Sequence, residues 1–305
     1  MWPGLDWKLF HVKQFALPIE RPPVYVQGST PPFAQIQDLV ARIIAIANQK
    51  GGVGKTTTAV NLAASLAAAE RRVLLVDGDP QGNATSGVGL QREMLGATVY
   101  DVLLDPRTIA EAIVREVHFK HLDVIPSTPD LAAAEIELVH REGRELSMNR
   151  AFEQVRDSYE FILIDCPPSL GLITVNMLVA AGNVLIPLQC EYYALEGLSQ
   201  LLNTVHLVQQ GLNPSLGIDG VLLTMYDARL NLSRQVAADA REYFGAKVFQ
   251  SVVPRNVRLA EAPSFGKPII LYDVASVGAK AYMSVARELI ERGSPQARTK
   301  TQHSQ

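Results

Sequence analysis

The sequence predicts an α/β fold in which a mostly parallel, twisted β-sheet carries helices on both faces. Three observations predict it: short runs made wholly of apolar residues, longer helical segments between them, and a glycine-rich loop between the first run and the first helix. Strands that are apolar throughout are typical of parallel sheets covered on both sides. The predicted strands are 43–47, 73–76, 122–125, 161–164, 184–188 and 218–223. The predicted helices are 56–69, 147–157, 170–181, 194–210, 232–243 and 279–292.

Length and composition indicate a globular protein with a large core. The chain has 305 residues, of which 48% are hydrophobic and 19% are charged. This length allows one large α/β domain or two small ones. The formal net charge is −3, so any nucleic-acid binding requires a local basic patch.

Both ends of the chain differ from its regular middle. Six prolines interrupt the apolar segments of residues 1–40, which predicts a disordered, Pro-rich N-terminal extension. A start codon assigned too far upstream would produce the same pattern. Residues 293–305 are polar and aperiodic, which predicts a disordered tail. The folded domain is therefore expected to span residues 41–292.

Cysteine usage and the N-terminal sequence predict a cytoplasmic protein. Cys166 and Cys190 form no CxxC motif and have no histidine cluster nearby, so we interpret both as core thiols rather than disulfide or zinc ligands. Asp6 and Lys8 interrupt the apolar N-terminal residues, which argues against a signal peptide. The apolar stretch 172–188 contains asparagines and a proline, and it predicts a buried helix followed by a strand rather than a membrane span.

The loop after the first predicted strand has the composition of a phosphate-binding loop. Its residues are Lys50, Gly51, Gly52, Val53, Gly54, Lys55, Thr56 and Thr57. Between a strand and a helix, backbone N–H groups freed by glycines and the positive end of the helix dipole face one concavity. Lys55 is expected to reach the β- and γ-phosphates of a nucleotide, and the Thr56 hydroxyl to bind Mg²⁺. The predicted fold is thus P-loop NTPase-like.

Lys50 distinguishes this loop from the ordinary phosphate loop. The ordinary pattern has a glycine five residues before the glycine of the Gly-Lys pair, and here that position is Gln49. Two lysines beside one triphosphate are more than a single nucleotide ordinarily needs. Lys50 is therefore a candidate for contacting a nucleotide bound by a second subunit.

Carboxylates follow two of the predicted strands. Asp77 and Asp79 come after strand 73–76, and Asp165 comes after strand 161–164. Because ligands of open α/β sheets bind at the carboxyl ends of strands, these side chains should meet beside the phosphate loop. Asp165 is a candidate for holding magnesium through water, and Asp79 for orienting the attacking water. Alternatively, Asp77 or Asp79 simply forms an Asx-type turn.

Together, these motifs resemble the deviant Walker A ATPases, and specifically the chromosome-partitioning ParA/Soj branch. The resemblance covers roughly residues 41–292 and extends well beyond the nucleotide motifs. Its longest parts are residues 76–87, 189–197 and 253–264.

The resemblance implies an ATPase of weak basal activity that uses ATP and Mg²⁺. Lys55 and Thr56 match the phosphate-loop lysine and the magnesium-binding hydroxyl, and Asp79 matches the aspartate needed for hydrolysis. Lys50 matches the signature lysine that crosses a dimer interface to the partner's nucleotide.

The segment that contains Pro254 and Asn256 resembles the part that packs on the adenine. By this resemblance, ATP joins two subunits into a homodimer and hydrolysis separates them.

The resemblance also implies macromolecular partners. Arg229 and Arg258 match positions that contact the DNA backbone, although from the residues alone they are ordinary solvated charges. Phosphate contacts of this kind give sequence-independent, salt-sensitive binding to double-stranded DNA. A ParB/Spo0J-type centromere-binding protein would stimulate hydrolysis and so drive chromosome or plasmid segregation by a nucleoid-associated protein.

One alternative function stays open: a nucleotide-gated regulatory module that acts on a replication initiator or another protein. Three related classes are disfavoured. An iron protein would need cluster-bridging cysteines, a membrane-bound MinD-like ATPase would need an amphipathic tail, and a tyrosine-kinase relative would need tyrosines after Tyr282.

Overall fold

The computed structural model describes residues 41–191 and 194–293. The extension predicted for residues 1–40 lies outside these ranges, as does the predicted tail after Gly293. Six strands form one sheet in the order β3-β2-β4-β1-β5-β6, and every neighbouring pair is parallel. The strands are β1 Arg42–Ile46, β2 Val73–Asp77, β3 Leu122–Ile125, β4 Phe161–Asp165, β5 Asn183–Gln189 and β6 Gly217–Thr224.

Helices connect the strands. The α-helices are α1 Lys55–Ala68, α2 Asn83–Gly87, α3 Val99–Leu104, α4 Ile109–Ala112, α5 Leu131–Glu137, α6 Ser147–Phe152, α7 Leu172–Ala180, α8 Ala194–Gly211, α9 Asn231–Phe244, α10 Val257–Glu261, α11 Ile269–Tyr272 and α12 Val277–Arg292. Short 3-10 helices lie at Arg92–Met94, Pro106–Thr108, Arg144–Leu146, Arg156–Ser158, Gly245–Lys247 and Ala262–Phe265.

The sheet has a hydrophobic core on each face. On one face, buried residues of α1 and α12 pack against the sheet; on the other, buried residues of α6, α7 and α9 do so. Every residue of β2, β3 and β4 is buried, which explains why these strands are apolar almost throughout. The predicted fold class, a mostly parallel sheet with helices on both faces, is confirmed.

One long helix predicted from the sequence is wrong in length. The segment 147–157 forms α6 only as far as Phe152, followed by a turn and the 3-10 helix Arg156–Ser158. Ala151 and Phe152 are buried, but of residues 153–157 only Val155 is half-buried against the core, so a longer helix would gain little further burial. The bonds from Gln154 N to the Ala151 carbonyl and from Val155 N to the Phe152 carbonyl are of the tighter i+3 type.

The strand order places the phosphate loop near the middle of the sheet, where the strands that follow β1 along the chain are added on opposite sides of it. Strand β1 lies between β4 and β5, and the loop that follows β1 leads directly into α1. In parallel register, Asp77 at the end of β2 lies beside Asp165 at the end of β4, and Asp165 lies beside Ile46 at the end of β1. The carboxylates and the loop therefore occupy one edge of the sheet.

Candidate nucleotide-binding site

The loop between β1 and α1 is shaped by two glycines in the left-handed region. Gly52 has φ 73° and Gly54 has φ 89°, which a residue with a Cβ adopts only with strain. Gly54 is also the N-cap of α1, and no side chain caps this helix. The first N–H groups of a fourteen-residue helix therefore lack a side-chain acceptor, as a phosphate-binding site requires.

Two buried polar side chains that lie outside residues 50–57 anchor the loop. The Asn48 amide donates to the Pro187 carbonyl (2.8 Å), and its oxygen accepts from the Lys50 backbone N–H (3.0 Å). The Thr224 hydroxyl donates to the Val53 carbonyl (2.8 Å). Neither residue was identified from the sequence. The only signal was a polar residue at the end of an apolar strand, which is too common to single out a role.

Lys55 and Lys50 meet through the backbone of the loop. The Lys55 ammonium lies 3.2 Å from the Lys50 carbonyl, and the residue as a whole is 7% exposed. Burial lowers the pKa of Lys55, while the charges of Asp165 and Asp79 act in the opposite direction. The Lys50 side chain is half-buried at the start of the loop. The structure thus places Lys55 near the predicted carboxylates Asp165 and Asp79.

Asp165 is fully buried and, among the described residues, no donor makes a hydrogen bond of normal geometry to it. Neither of its carboxylate oxygens has a partner among the described residues. Burial raises the pKa of Asp165 well above its usual value, and the charge of Asp77 adds to this. The Thr56 hydroxyl and the Lys55 ammonium act in the opposite direction. The Thr56 hydroxyl is thus close to Asp165 without making a hydrogen bond of normal geometry.

This unpartnered carboxylate fits a magnesium site. A buried carboxylate is costly unless a donor or a cation satisfies it, and carboxylate and hydroxyl oxygens are ligands that Mg²⁺ prefers. Within the described ranges, no group of three or more His, Cys, Asp or Glu side chains could hold a metal ion by itself. Phosphate oxygens and water would therefore supply the other ligands, as is usual for Mg²⁺ bound with a nucleotide.

Asp77 and Asp79 have different surroundings. One Asp77 oxygen accepts from the Thr85 backbone N–H (2.7 Å) and hydroxyl (2.6 Å), and the other accepts from the Asp79 N–H (3.3 Å). Burial raises the pKa of Asp77 despite the bonds from Thr85. Asp79 accepts one bond, from the Gln81 N–H (2.9 Å). Both residues make the Asx-type contact, but Asp77 has both oxygens engaged, whereas Asp79 has one oxygen without a partner among the described residues.

The predicted adenine segment lies beside the end of β6. Pro254 forms a parallel bridge with Tyr226, and the Arg255 N–H donates to the Tyr226 carbonyl (3.3 Å). The Asn256 side-chain oxygen accepts from the Leu259 N–H (3.2 Å) and so caps α10. The amide N–H₂ of Asn256 has no partner among the described residues and is free to donate to a base, and the adenine contact stays a prediction.

The two predicted DNA-binding residues, Arg229 and Arg258, form what we call the arginine surface. Arg229 is 89% exposed and forms a two-point ion pair with Asp227, with Nε to Oδ1 at 2.9 Å and Nη2 to Oδ2 at 2.7 Å. Hydrogen bonds from Arg229 lower the pKa of Asp227 to about 2. The interpretation as free solvated charges is therefore incomplete, because Arg229 already has an anionic partner.

Arg258 has anionic partners as well. Its Nη1 lies 2.9 Å from the Glu261 carboxylate, and its Nε lies 3.6 Å from the Asp273 carboxylate. The bridge between Tyr226 and Pro254 holds the segments that carry the two arginines side by side. Each predicted DNA contact thus requires DNA phosphate to compete with a carboxylate of the same chain.

The remaining sequence predictions concern the thiols and the membrane. Cys166 and Cys190 are both free and buried, which confirms their interpretation as core residues. Burial raises the pKa of both thiols, to about 11 for Cys190. Of the helices in the described ranges, none combines the length and apolar character needed to cross a bilayer.

Comparison with known sequences identifies the family. A family model described as an AAA domain matches residues 41–218. The chromosome partitioning protein ParA of Myxococcus xanthus is 57% identical over 258 residues, which cover 85% of this chain and 91% of that protein. The sporulation initiation inhibitor protein Soj of Bacillus subtilis is 58% identical over 254 residues, which cover 83% of this chain and all of that protein.

Solved structures share the fold. Cobyrinic acid a,c-diamide synthase of Mycobacterium smegmatis, solved with a bound ATP analogue and magnesium, is 39% identical, with a TM-score of 0.72 over 83% of this chain and 96% of that one. The cell division ATPase MinD of Pyrococcus furiosus is 27% identical, with a TM-score of 0.68 over 82% of this chain and 99% of that one. The phosphate loop, the unpartnered Asp165 and the similarity to ParA and Soj lead to the same conclusion. The chain belongs to the ParA/Soj family of P-loop ATPases.

Proposed function

We propose that this protein is a chromosome- or plasmid-partitioning ATPase that acts on DNA as an ATP-bound homodimer. The observation that carries the proposal is the pairing of a two-lysine phosphate loop with a buried, unpartnered Asp165. The ParA relatives of more than half sequence identity are chromosome partitioning proteins, which supports the same function here.

Residues 51–57 hold the phosphates through backbone N–H groups, and Lys55 contacts the β- and γ-phosphates. Thr56 and Asp165 hold Mg²⁺. When bound, the metal neutralises charge on the phosphate oxygens. Lys55 exchanges the Lys50 carbonyl (3.2 Å) for a phosphate oxygen. This exchange replaces a weak dipole with a full negative charge for a buried ammonium ion.

Lys50 acts across the dimer. Its backbone N–H and carbonyl are both engaged within the loop, by Asn48 and Lys55, while its side chain is only half-buried. We propose that this side chain reaches the nucleotide of the partner subunit. A monomer would then lack one cation needed to stabilise the transition state, so basal hydrolysis is slow.

Asp79 orients the attacking water through the oxygen that the Gln81 N–H leaves without a partner. Asp77, which is saturated by Thr85 and by the Asp79 backbone N–H, instead fixes the turn that carries Asp79. Pro254 and Asn256 contact the adenine.

Arg229 and Arg258 bind DNA phosphates without sequence specificity, and dimerisation brings two copies of the arginine surface onto one duplex. A ParB/Spo0J-type partner stimulates hydrolysis and releases the protein from DNA. The protein is therefore nucleoid-associated in its ATP-bound form.

The test measures molecular mass with Mg-ADP and with Mg-ATP for the wild type, Lys50→Ala and Asp79→Ala. Asp79→Ala should accumulate as an ATP-dependent dimer on DNA, because binding is kept and water attack is lost. Lys50→Ala should bind nucleotide but stay monomeric. A monomeric Asp79→Ala protein in ATP, or a Lys50→Ala protein that dimerises and turns over normally, would contradict the proposal. A monomeric Lys55→Ala protein that still regulates a replication initiator would favour the regulatory module instead.

A further inference from the structure

We propose that Thr224 is a positioning residue for the phosphate loop. Its hydroxyl holds the Val53–Gly54 peptide in the orientation that directs the Gly54 N–H toward the nucleotide phosphates. The inference rests on the proposed binding of phosphates by this loop, and it adds a residue from a strand that is not adjacent to the loop's own strand.

The contact joins two parts of the chain that are distant in sequence. Thr224 ends β6, and its hydroxyl donates to the Val53 carbonyl at 2.8 Å across 171 residues of sequence. Thr224 is 2% exposed and Val53 is 1% exposed, so water does not compete for this bond. Among the described residues, the Thr224 hydroxyl is the hydrogen-bond partner that the structure gives to the Val53 carbonyl.

The direction of this carbonyl determines the direction of the next N–H. In a planar trans peptide the C=O and the following N–H point in opposite directions, and the described residues contain no cis peptide. With the Val53 carbonyl directed at Thr224, the Gly54 N–H points to the opposite side, away from β6. That N–H belongs to the N-cap residue of α1, at the end of the helix where phosphates bind.

This peptide needs an external constraint because a glycine follows it. Gly54 adopts φ 89°, and glycine populates positive and negative φ almost equally. Rotation of the Val53–Gly54 peptide would therefore cost little in backbone energy and would turn the N–H away from the phosphates. The Thr224 side chain also lies close behind the loop, because a Cβ on Gly54 would be 3.9 Å from Thr224 Cγ2. The hydroxyl thus selects one of two accessible orientations.

A second buried threonine provides a matched control. The Thr58 hydroxyl lies 3.1 Å from the Tyr282 hydroxyl and joins α1 to α12 without contacting the loop. Thr58 is fully buried, like Thr224. Thr58→Val and Thr224→Val therefore each remove one buried hydroxyl bond, but only the second releases a loop peptide.

The experiment measures the affinity for Mg-ADP and Mg-ATP by titration calorimetry, together with steady-state turnover. Thr224→Val should lower the affinities for both nucleotides to the same extent, by roughly 10-fold, because the backbone amides hold phosphates that ADP and ATP share. KM should rise while kcat stays within about 2-fold, since the contact exists in both the ground state and the transition state. Thr224→Ser, which keeps the hydroxyl, should bind within about 3-fold of the wild type.

Thr58→Val should lower the melting temperature about as much as Thr224→Val and leave both affinities unchanged. The inference would be overturned if Thr224→Val bound nucleotide with wild-type affinity, or if Thr58→Val lost as much affinity as Thr224→Val. It would also be overturned if Thr224→Ser bound no better than Thr224→Val. Lys55→Ala separates this failure from that of the proposed function. If Lys55→Ala binds nucleotide normally, the phosphate loop itself is misassigned; if it loses binding while Thr224→Val keeps it, only the role of Thr224 is wrong.

Discussion

The edge of the sheet that carries the phosphate loop and Asp165, here called the nucleotide edge, differs from the arginine surface in how its charged groups are surrounded. At the nucleotide edge, Asp165 is buried with no donor among the described residues, and Lys55 is desolvated against a backbone carbonyl. At the arginine surface, Arg229 and Arg258 are exposed and each already has carboxylate partners. An unsatisfied buried charge indicates a missing ligand, because the free-energy cost of leaving it so is large. An exposed ion pair carries no such information.

A third site shows how little an exposed pair indicates. Arg107 and Asp105 repeat the geometry of Arg229 and Asp227, with Nε to Oδ1 at 2.9 Å and Nη2 to Oδ2 at 2.7 Å. The Arg107 side chain is 86% exposed, against 89% for Arg229. The geometry of the ion pair and the exposure of the arginine therefore do not single out Arg229. A DNA-binding role for Arg229 therefore rests on the family resemblance, and Arg107 is its matched control.

The largest effect is expected at the nucleotide edge. Asp165→Asn keeps the shape of the side chain but removes the charge that would hold Mg²⁺. ATP turnover at saturating magnesium should fall by a factor on the order of 100 or more, because the metal's neutralisation of phosphate charge is lost or misplaced. Steady-state phosphate release measures this. Turnover within a few-fold of the wild type would show that Asp165 is buried for another reason.

A smaller effect is expected at the arginine surface. Arg229→Glu should weaken binding to double-stranded DNA by roughly 10-fold or more at low salt, and it should reduce the salt dependence. ATP turnover without DNA should stay unchanged, because Arg229 is paired with Asp227 rather than with the loop. Arg107→Glu should bind DNA like the wild type. Equal losses in both variants, measured by fluorescence anisotropy across a salt series, would mean that net charge rather than position matters.

The smallest effect is a difference in the pH dependence of stability. The pKa of Asp165 is raised from 3.8 by burial, so without ligands the folded state retains this proton more tightly than the unfolded state does. Its contribution to stability is therefore fully present below about pH 4 and is lost as the pH rises through the folded-state pKa. The slope is at most about 1.4 kcal/mol per pH unit for one proton.

Asp165→Asn has no carboxyl group to ionise, so it should not lose stability as the pH rises. Without nucleotide, it should melt at a higher temperature than the wild type at neutral pH. Asp227 titrates with the opposite sign, because its pKa is lowered to about 2 and its contribution is lost only as the pH falls. Asp227→Asn should therefore leave the change of melting temperature with pH as in the wild type above pH 5, because the contribution of Asp227 is constant there. Identical profiles for Asp165→Asn and the wild type would contradict an ionisable Asp165 without a donor.

Much of the site was accessible from the sequence because its signals are local. The phosphate loop, the strands that end in Asp77 and Asp165, and the two-lysine pattern are contiguous segments with a fixed spacing. The structure places them at one edge, and the relatives confirm the family and the ATPase activity. The predicted roles of Lys50, Asp79, Asn256 and the two arginines stay proposals.

The sequence by itself determined the α/β class, the approximate position of each strand and the glycine loop, because apolar runs and turn residues act over a few positions. Only the tertiary structure decided which carboxylate would lack a donor, which arginines would be paired, and that Thr224 would hold the Val53 carbonyl. Such contacts depend on the order of strands in the sheet and on packing between segments far apart along the chain. No local pattern of residues specifies them.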